Sequence, residues 1–208
     1  MTDERRDDLD LAPLPSALAP FGALIAARRV RAGDEEGFAG AAGHVARRRA
    51  SGAARIAARR LLGELGSDPH APLLRPPAGG PVWPAGIVGS LAHDAEFAVA
   101  AVARRGALAG IGVDVEPAEP LPADLTDLVL NPAERAETGG DGVAQRLVFA
   151  AKEAVYKAIN PIDGSPLEYE DIAVGLRAGT ASLMDGRTLR LFALRGERLV
   201  VAALALAT

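Results

Sequence analysis

An α/β chain (α+β in its segregation) made of two similar halves is what this sequence predicts, and three observations lead there. Each half carries a stretch with apolar residues at helical spacing and, elsewhere, short apolar runs of strand length. Glycine and proline separate these runs at the intervals expected of turns. At 208 residues with 49% apolar content, the chain can bury a sizeable core.

The elements follow in order. Residues 1–15, rich in charge and proline, read as a loose leader outside the core, and FGALIAARR after it reads as a first strand. From about Asp34 to Leu65 the pattern is helical, with Gly66 placed as a C-cap. Residues 67–86 are rich in proline and glycine, hence a loop. GIVGSLAH, EFAVAAVAR and LAGIGVDVE read as three neighbouring strands, with a turn at the Arg-Gly before Ala107. Asn131 followed by Pro132 supplies an N-cap and a first-turn proline for a short helix through Glu134. A longer helix covers roughly Val143 to Ile159, its apolar face made by Leu147, Val148, Ala151, Val155 and Ala158, and Pro161 is expected to stop it. TLRLFALR and LVVAALALA are further strands, joined by a turn at Arg195, Gly196 and Glu197. The division expected is a leader over 1–15, an N-terminal half over 16–110 and a C-terminal half over 111–208, with the site between the halves.

Composition removes several function classes. Without cysteine there is neither a disulfide framework nor a thiolate metal site or nucleophile. The charged start MTDERRDDLD lacks the apolar region of a signal peptide, and no apolar run approaches the roughly 18 residues of a membrane span. A cytoplasmic protein without membrane contact is expected. The net charge of -4 argues against nucleic acid. It hides a basic stretch from Arg47 to Arg60 with six arginines and no acid. Such a stretch suits a solvated helix face, a phosphorylated ligand or an acidic partner. With 4% aromatic residues overall, it lacks the stacking platforms of a single-strand binder.

The chemistry concentrates in two segments. Asp114 and Glu116 in GIGVDVEP are two apart, so a strand turns both carboxylates to one face, while Val113 and Val115 face the other. Two adjacent carboxylates repel unless neutralised. A hard divalent cation, Mg²⁺ above all, suits them because it takes a few carboxylates and completes its shell with phosphate oxygens and water. Zinc does not fit a chain with three scattered histidines and no cysteine. FAAKEAVYKAI adds Glu153 and holds both lysines of the chain, Lys152 and Lys157, although arginine supplies the other basic side chains. Lysine is a compact point charge suited to a phosphate beside a metal. Glu153 and Lys157 also have the i,i+4 spacing of a helix-surface pair. Carboxylates with nearby lysines, and no Ser/His/Asp set, point to phosphoryl-type transfer. Neither a Walker A loop nor GxGxxG is present, since GALAGIG has the wrong spacing.

ARRRASGAARIAARRLLGELG, PVWPAGIVGSLAH, GIGVDVEP, LNPAERAE and FAAKEAVYKA, over roughly Arg47 to Ala158, resemble the 4'-phosphopantetheinyl transferases of the Sfp type. The resemblance is to the branch that includes enterobactin synthase component D. The resemblance implies two similar α/β subdomains in a pseudo-twofold arrangement with coenzyme A at their junction. It implies Mg²⁺-dependent transfer of the phosphopantetheine arm to a serine of an apo acyl or peptidyl carrier protein, releasing adenosine 3',5'-bisphosphate. A non-catalytic coenzyme A-binding protein of the same fold is the alternative. By position, Asp114, Glu116 and Glu153 match the metal acids, Lys157 the pyrophosphate lysine, and Lys152 the lysine beside the metal-binding Glu. Glu134 matches the acid proposed as general base, a metal-bound water being the other candidate. Ser90 and His93 match residues that hold coenzyme A, and Arg47 and Arg55 those near its 3'-phosphate. Trp83 is expected to pack, and Tyr156 to belong to core or cleft wall. A monomer in polyketide, non-ribosomal peptide, fatty acid or siderophore synthesis is implied. Two departures bear on the site: Ala50, Ser51, Gly52 and Ala54 precede or flank Arg55 where the family differs, and Asp94 follows His93, where it would repel a bound anion unless it points away.

Overall fold

The computed structural model describes residues 9–37, 44–74, 80–164 and 166–207. Among these, eight strands form two antiparallel sheets, and a long helix lies on the outer face of each. The N-terminal sheet has the order β1-β3-β2, from Ala23–Arg29 (β1), Ile87–His93 (β2) and Phe97–Arg104 (β3). The C-terminal sheet begins with Leu108–Pro117 (β4). After it come Ile172–Gly175 (β5), Thr180–Leu183 (β6), Thr188–Arg195 (β7) and Arg198–Leu206 (β8), in the order β4-β8-β7-β6-β5.

Alternation along the central strands builds three apolar layers. In β3, Val99, Ala101 and Ala103 turn inward, while Ala100 and Val102 meet the helix Val45–Glu64 (α2) through Ala57, Ala58, Leu61 and Leu62. In β8, Val200, Ala202 and Leu204 turn inward, while Leu199, Val201 and Ala203 meet the helix Gly142–Asp163 (α5). The two inner faces close on each other through Val88, Val99, Ile111, Val113 and Val200. Both central strands are therefore apolar on both sides, which is why they read as continuous apolar runs in the sequence.

Several expectations shift. Residues 1–8 lie outside the described residues, but Leu9, Leu11 and Leu14 are buried in the inter-sheet core, with Leu18 of the short helix Leu14–Leu18 (α1). The latter part of the leader is thus core, because the end of the inter-sheet core beside β1 needs an apolar cover. Asp34–Gly37 is a 3₁₀ turn, and the long helix starts only after His44, whose side chain accepts from the Ala46 N–H; the expected helical residues 38–43 lie outside the described residues. Gly66 does end α2: its φ is 67°, and Ser67 N–H donates to Leu62 O while Gly66 N–H donates to Gly63 O.

The three apolar runs are not one sheet. β2 pairs with β3, but β4 crosses over and pairs with β8. Helix Ala123–Val129 (α3) and strands β5 and β6 carry too weak a pattern to be read in advance. Helix Pro132–Thr138 (α4) has the expected cap, with Glu134 N–H donating to Asn131 Oδ1 (2.9 Å) and Asn131 N–H to Glu134 Oε2 (2.8 Å). α5 runs past Pro161 to Asp163 and stops at Gly164, whose φ is 72°. A proline in the last turn forfeits one ladder bond, and Gly164 N–H still donates to Asn160 O. No described helix is long and apolar enough to cross a membrane.

α5 lies on β4 almost backbone to backbone. A Cβ on Gly112 would stand 1.8 Å from Ala154 O, and one on Gly110 2.3 Å from Ala158 O. Gly112→Ala should therefore destabilise the fold by about 1–3 kcal/mol or more, read as a lower denaturation midpoint. An unchanged midpoint would contradict this packing.

Candidate active site

The same packing sets the register of the site. Helix and strand run antiparallel, and four helical residues, rising about 6 Å, match two strand residues of about 6.6 Å. Gly110 lies under Ala158 and Gly112 under Ala154, so the next residues on that face of β4, Asp114 and Glu116, come beside the earlier turns of α5. Helical side chains lean toward the N-terminus, and Lys157 reaches back to put Nζ 2.6 Å from Asp114 Oδ1. Arg146 donates to Glu116 Oε2 (2.9 Å) and also to Glu119 O and Pro120 O, which fixes the chain leaving β4. The Tyr169 hydroxyl donates to Glu153 Oε1 (2.9 Å).

Each of the three expected metal acids thus has a different protein partner. Among the described residues, no three His, Cys, Asp or Glu side chains form a ready-made metal group. The donor set nevertheless suits a hard cation, because Asp114 Oδ2 is buried with no hydrogen-bond partner. Burial pushes the Asp114 carboxyl up to about 6 against the pull of Lys157, and the charges of Glu116 and Glu153 add to the rise. Burial raises the Glu116 carboxyl too, opposed by Arg146. A cation among these oxygens would relieve both effects.

A cleft of about 650 Å³ opens beside this cluster. Its N-terminal wall holds Arg55 of α2 and Ser90 and His93 of β2; its C-terminal wall holds Glu153, Tyr156, Lys157 and Asn160 of α5. Residues from both parts of the chain thus wall the cleft, Tyr156 among them. Trp83 lies over Gly89, where a Cβ would come 2.6 Å from its ring, and the half-buried side chain also lines the cleft. Ser90 Oγ accepts from Val113 N–H (3.1 Å), tying β2 to β4 across the inner core. Arg55 is buried, donating to Leu73 O and to Ser51 O and Oγ, so the unusual Ser51 is a partner of that arginine. Gly52 is required by the approach of Asp34 O, which would stand 1.7 Å from a Cβ there. Arg47 is exposed and is not among the residues lining the cleft. Burial first, then the charges of Lys157, Arg47 and Arg55, hold the His93 imidazole below its ordinary range.

Asp94 points away from the cleft. Its Oδ1 accepts from Glu96 and Phe97 N–H, and its Oδ2 lies 2.6 Å from Arg198 Nε. Arg198 also reaches Glu96 Oε1 (2.8 Å) and stacks on the Phe97 ring, 5.0 Å from its centroid. The acid that follows His93 thus locks the β2–β3 turn to β8 rather than opposing an anion.

Glu134 and Lys152, expected to be catalytic, do not line the cleft. Both are 1% exposed, and Lys152 Nζ lies 2.9 Å from Glu134 Oε2. Glu134 Oε1 accepts from Val174 N–H (2.7 Å), and Oε2 also takes the Asn131 N–H of the capping box. Lys152 donates further to Val129 O and Tyr169 O. A general base needs a free oxygen within reach of the proton it takes, and here both oxygens are engaged inside the fold.

Comparison with known families agrees with this architecture. Residues 34–103 match the family model of the 4'-phosphopantetheinyl transferase N-terminal domain, and residues 110–204 that of the 4'-phosphopantetheinyl transferase superfamily. The chain belongs to this superfamily. Among relatives of this phosphopantetheinyl transferase chain, 4'-phosphopantetheinyl transferase Svp of Streptomyces mobaraensis is 41% identical over 172 residues, covering 74% of this chain and 70% of Svp. 4'-Phosphopantetheinyl transferase PptT of Mycobacterium tuberculosis is 38% identical over 148 residues, covering 65% of each chain. Enterobactin synthase component D of Escherichia coli O157:H7 is 36% identical over 100 residues, covering 45% of this chain and 47% of that protein.

Sequence reasoning missed Arg146, Tyr169 and Arg198, each of which touches a site acid or its neighbour only through the tertiary fold. Arg146 alone left a trace, since it lies on the helix that carries Glu153.

Two measurements check the electrostatics. The His93 imidazole should titrate by NMR with a midpoint below 6.5; a midpoint at or above it would contradict the described surroundings. Glu134→Gln leaves a buried ammonium without its charge partner and should cost on the order of 3–5 kcal/mol of stability, seen as a lower melting temperature. An unchanged melt with lost turnover would return Glu134 to the role of base.

Proposed function

We propose that this protein moves the 4'-phosphopantetheine arm of coenzyme A onto a serine of an apo acyl or peptidyl carrier protein. The serine oxygen forms a bond to the phosphorus that carries the pantetheine. The bond from that phosphorus to the oxygen of the adenosine-side phosphate breaks, adenosine 3',5'-bisphosphate leaves, and the serine proton is lost to solvent. The observation that carries this reading is a cleft walled by Glu153 and Lys157 of α5 on one side and Ser90, His93 and Arg55 on the other, with Lys157 paired to the buried Asp114 of β4 behind it.

In this reading Asp114, Glu116 and Glu153 are the residues that would hold Mg²⁺. Bound there, the ion supplies positive charge for the pyrophosphate and the leaving oxygen. Lys157 moves between two anions, Asp114 and the pyrophosphate, which suits a single point charge on a flexible stem. A neutral His93 offers one N–H to the ligand, and Arg47 at the start of α2 adds charge for a terminal phosphate. Arg55, held by Leu73 O and Ser51, shapes the wall from which that charge acts. The same reading makes the protein cytoplasmic, where its substrates are made, and monomeric, since the two sheets already cover each other. Intact acids and a lysine at the cleft favour turnover over a coenzyme A-binding role alone.

Incubation with apo carrier protein, coenzyme A and Mg²⁺ should raise the carrier's intact mass by one phosphopantetheine, and Asp114→Ala should abolish the gain while the protein stays folded. No gain with any of several carriers would sink the proposal; full activity in the variant would sink the metal assignment.

A further inference from the structure

Lys152 and Glu153 are consecutive on α5, yet one is sealed in the interior and the other lies at the cleft. One residue joins them. Tyr169, in the 3₁₀ turn Tyr169–Asp171, accepts Lys152 Nζ at its backbone carbonyl (2.9 Å) and donates its hydroxyl to Glu153 Oε1 (2.9 Å). Its ring packs at 5.9 Å from that of Phe149, one turn earlier on α5. The turn itself is closed by Glu168 N–H donating to Asp171 Oδ2 (2.8 Å). Tyr169 is therefore gripped at backbone, ring and hydroxyl.

On the assignment of Glu153 made above, we infer that Tyr169 is a positioning residue for the cation site, and that the buried Glu134–Lys152 pair acts on that site through it. The chain of contacts is continuous. Asn131 and Val174 N–H fix Glu134, Glu134 fixes Lys152, Lys152 fixes the Tyr169 carbonyl, and the Tyr169 hydroxyl occupies one oxygen of Glu153. A carboxylate with one oxygen held by a neutral donor keeps the other for a cation, in one orientation. Outer partners of this kind commonly govern metal affinity about tenfold or more. Lys152 and Glu134 thereby serve the site without touching substrate.

The test uses Tyr169→Phe, which keeps the ring and removes the hydroxyl. Calorimetric titration of the protein with MgCl₂ alone should show affinity lowered roughly tenfold, with a melting temperature within a few degrees of the unsubstituted protein. In the carrier-mass assay the variant should need about tenfold more Mg²⁺ for half-maximal transfer and regain turnover when Mg²⁺ is saturating. Equal Mg²⁺ affinity in both proteins overturns the inference, as does a loss of turnover that no Mg²⁺ concentration restores. If the unsubstituted protein transfers nothing, the proposed activity fails instead, and calorimetry still decides the role of Tyr169.

Discussion

Gly110 and Gly112 remove the side chains that would hold α5 away from β4, so the carbonyls of Ala154 and Ala158 rest against the strand. Everything at the site inherits its position from this contact. A helix standing one side chain further off would leave Lys157 short of Asp114 and Arg146 short of Glu116. Close approach also explains why β4 changes character along its length. Its outer face is glycine where the helix presses and carboxylate where the helix side chains reach over, while Ile111, Val113 and Val115 keep the inner face apolar throughout.

Charge is arranged in two tiers around that contact. Inside, Glu134 and Lys152 neutralise each other and satisfy four backbone groups, Asn131 N–H, Val174 N–H, Val129 O and Tyr169 O, on elements that otherwise touch mainly through apolar side chains. Buried pairs of this sort give geometry more than net stability. At the cleft, partners are shared out one to each acid, leaving Asp114 Oδ2 unsatisfied. An unpaired buried oxygen costs free energy, so the fold keeps a small local strain where a cation would be welcome.

Much of this was legible in the sequence because the informative residues are local. The i,i+2 acids of β4, the Asn131–Pro132 start of α4 and the apolar stripe of α5 each carry their structure in a few neighbouring positions. What escaped depended on partners far along the chain. Nothing near Asp94 announces Arg198, and nothing near Glu153 announces Tyr169. β4 reads as a neighbour of β3 because the turn between them is short, whereas its pairing is decided by β8, at the other end of the chain. Glu134 and Lys152 stood in the right motifs for catalysis, and only burial reveals them as a pair facing inward.

The two family segments end at residue 103 and begin again at residue 110, and the boundary between them is easy to mistake for one between independent domains. The apolar layer between the sheets says otherwise, since Val88 and Val99 from one side and Ile111, Val113 and Val200 from the other are buried in one shared cluster. Either segment alone would present that face to water. The halves are therefore separable in sequence but not in folding: they should gain and lose structure as one cooperative unit, and the cleft exists only after both have closed on their common interior.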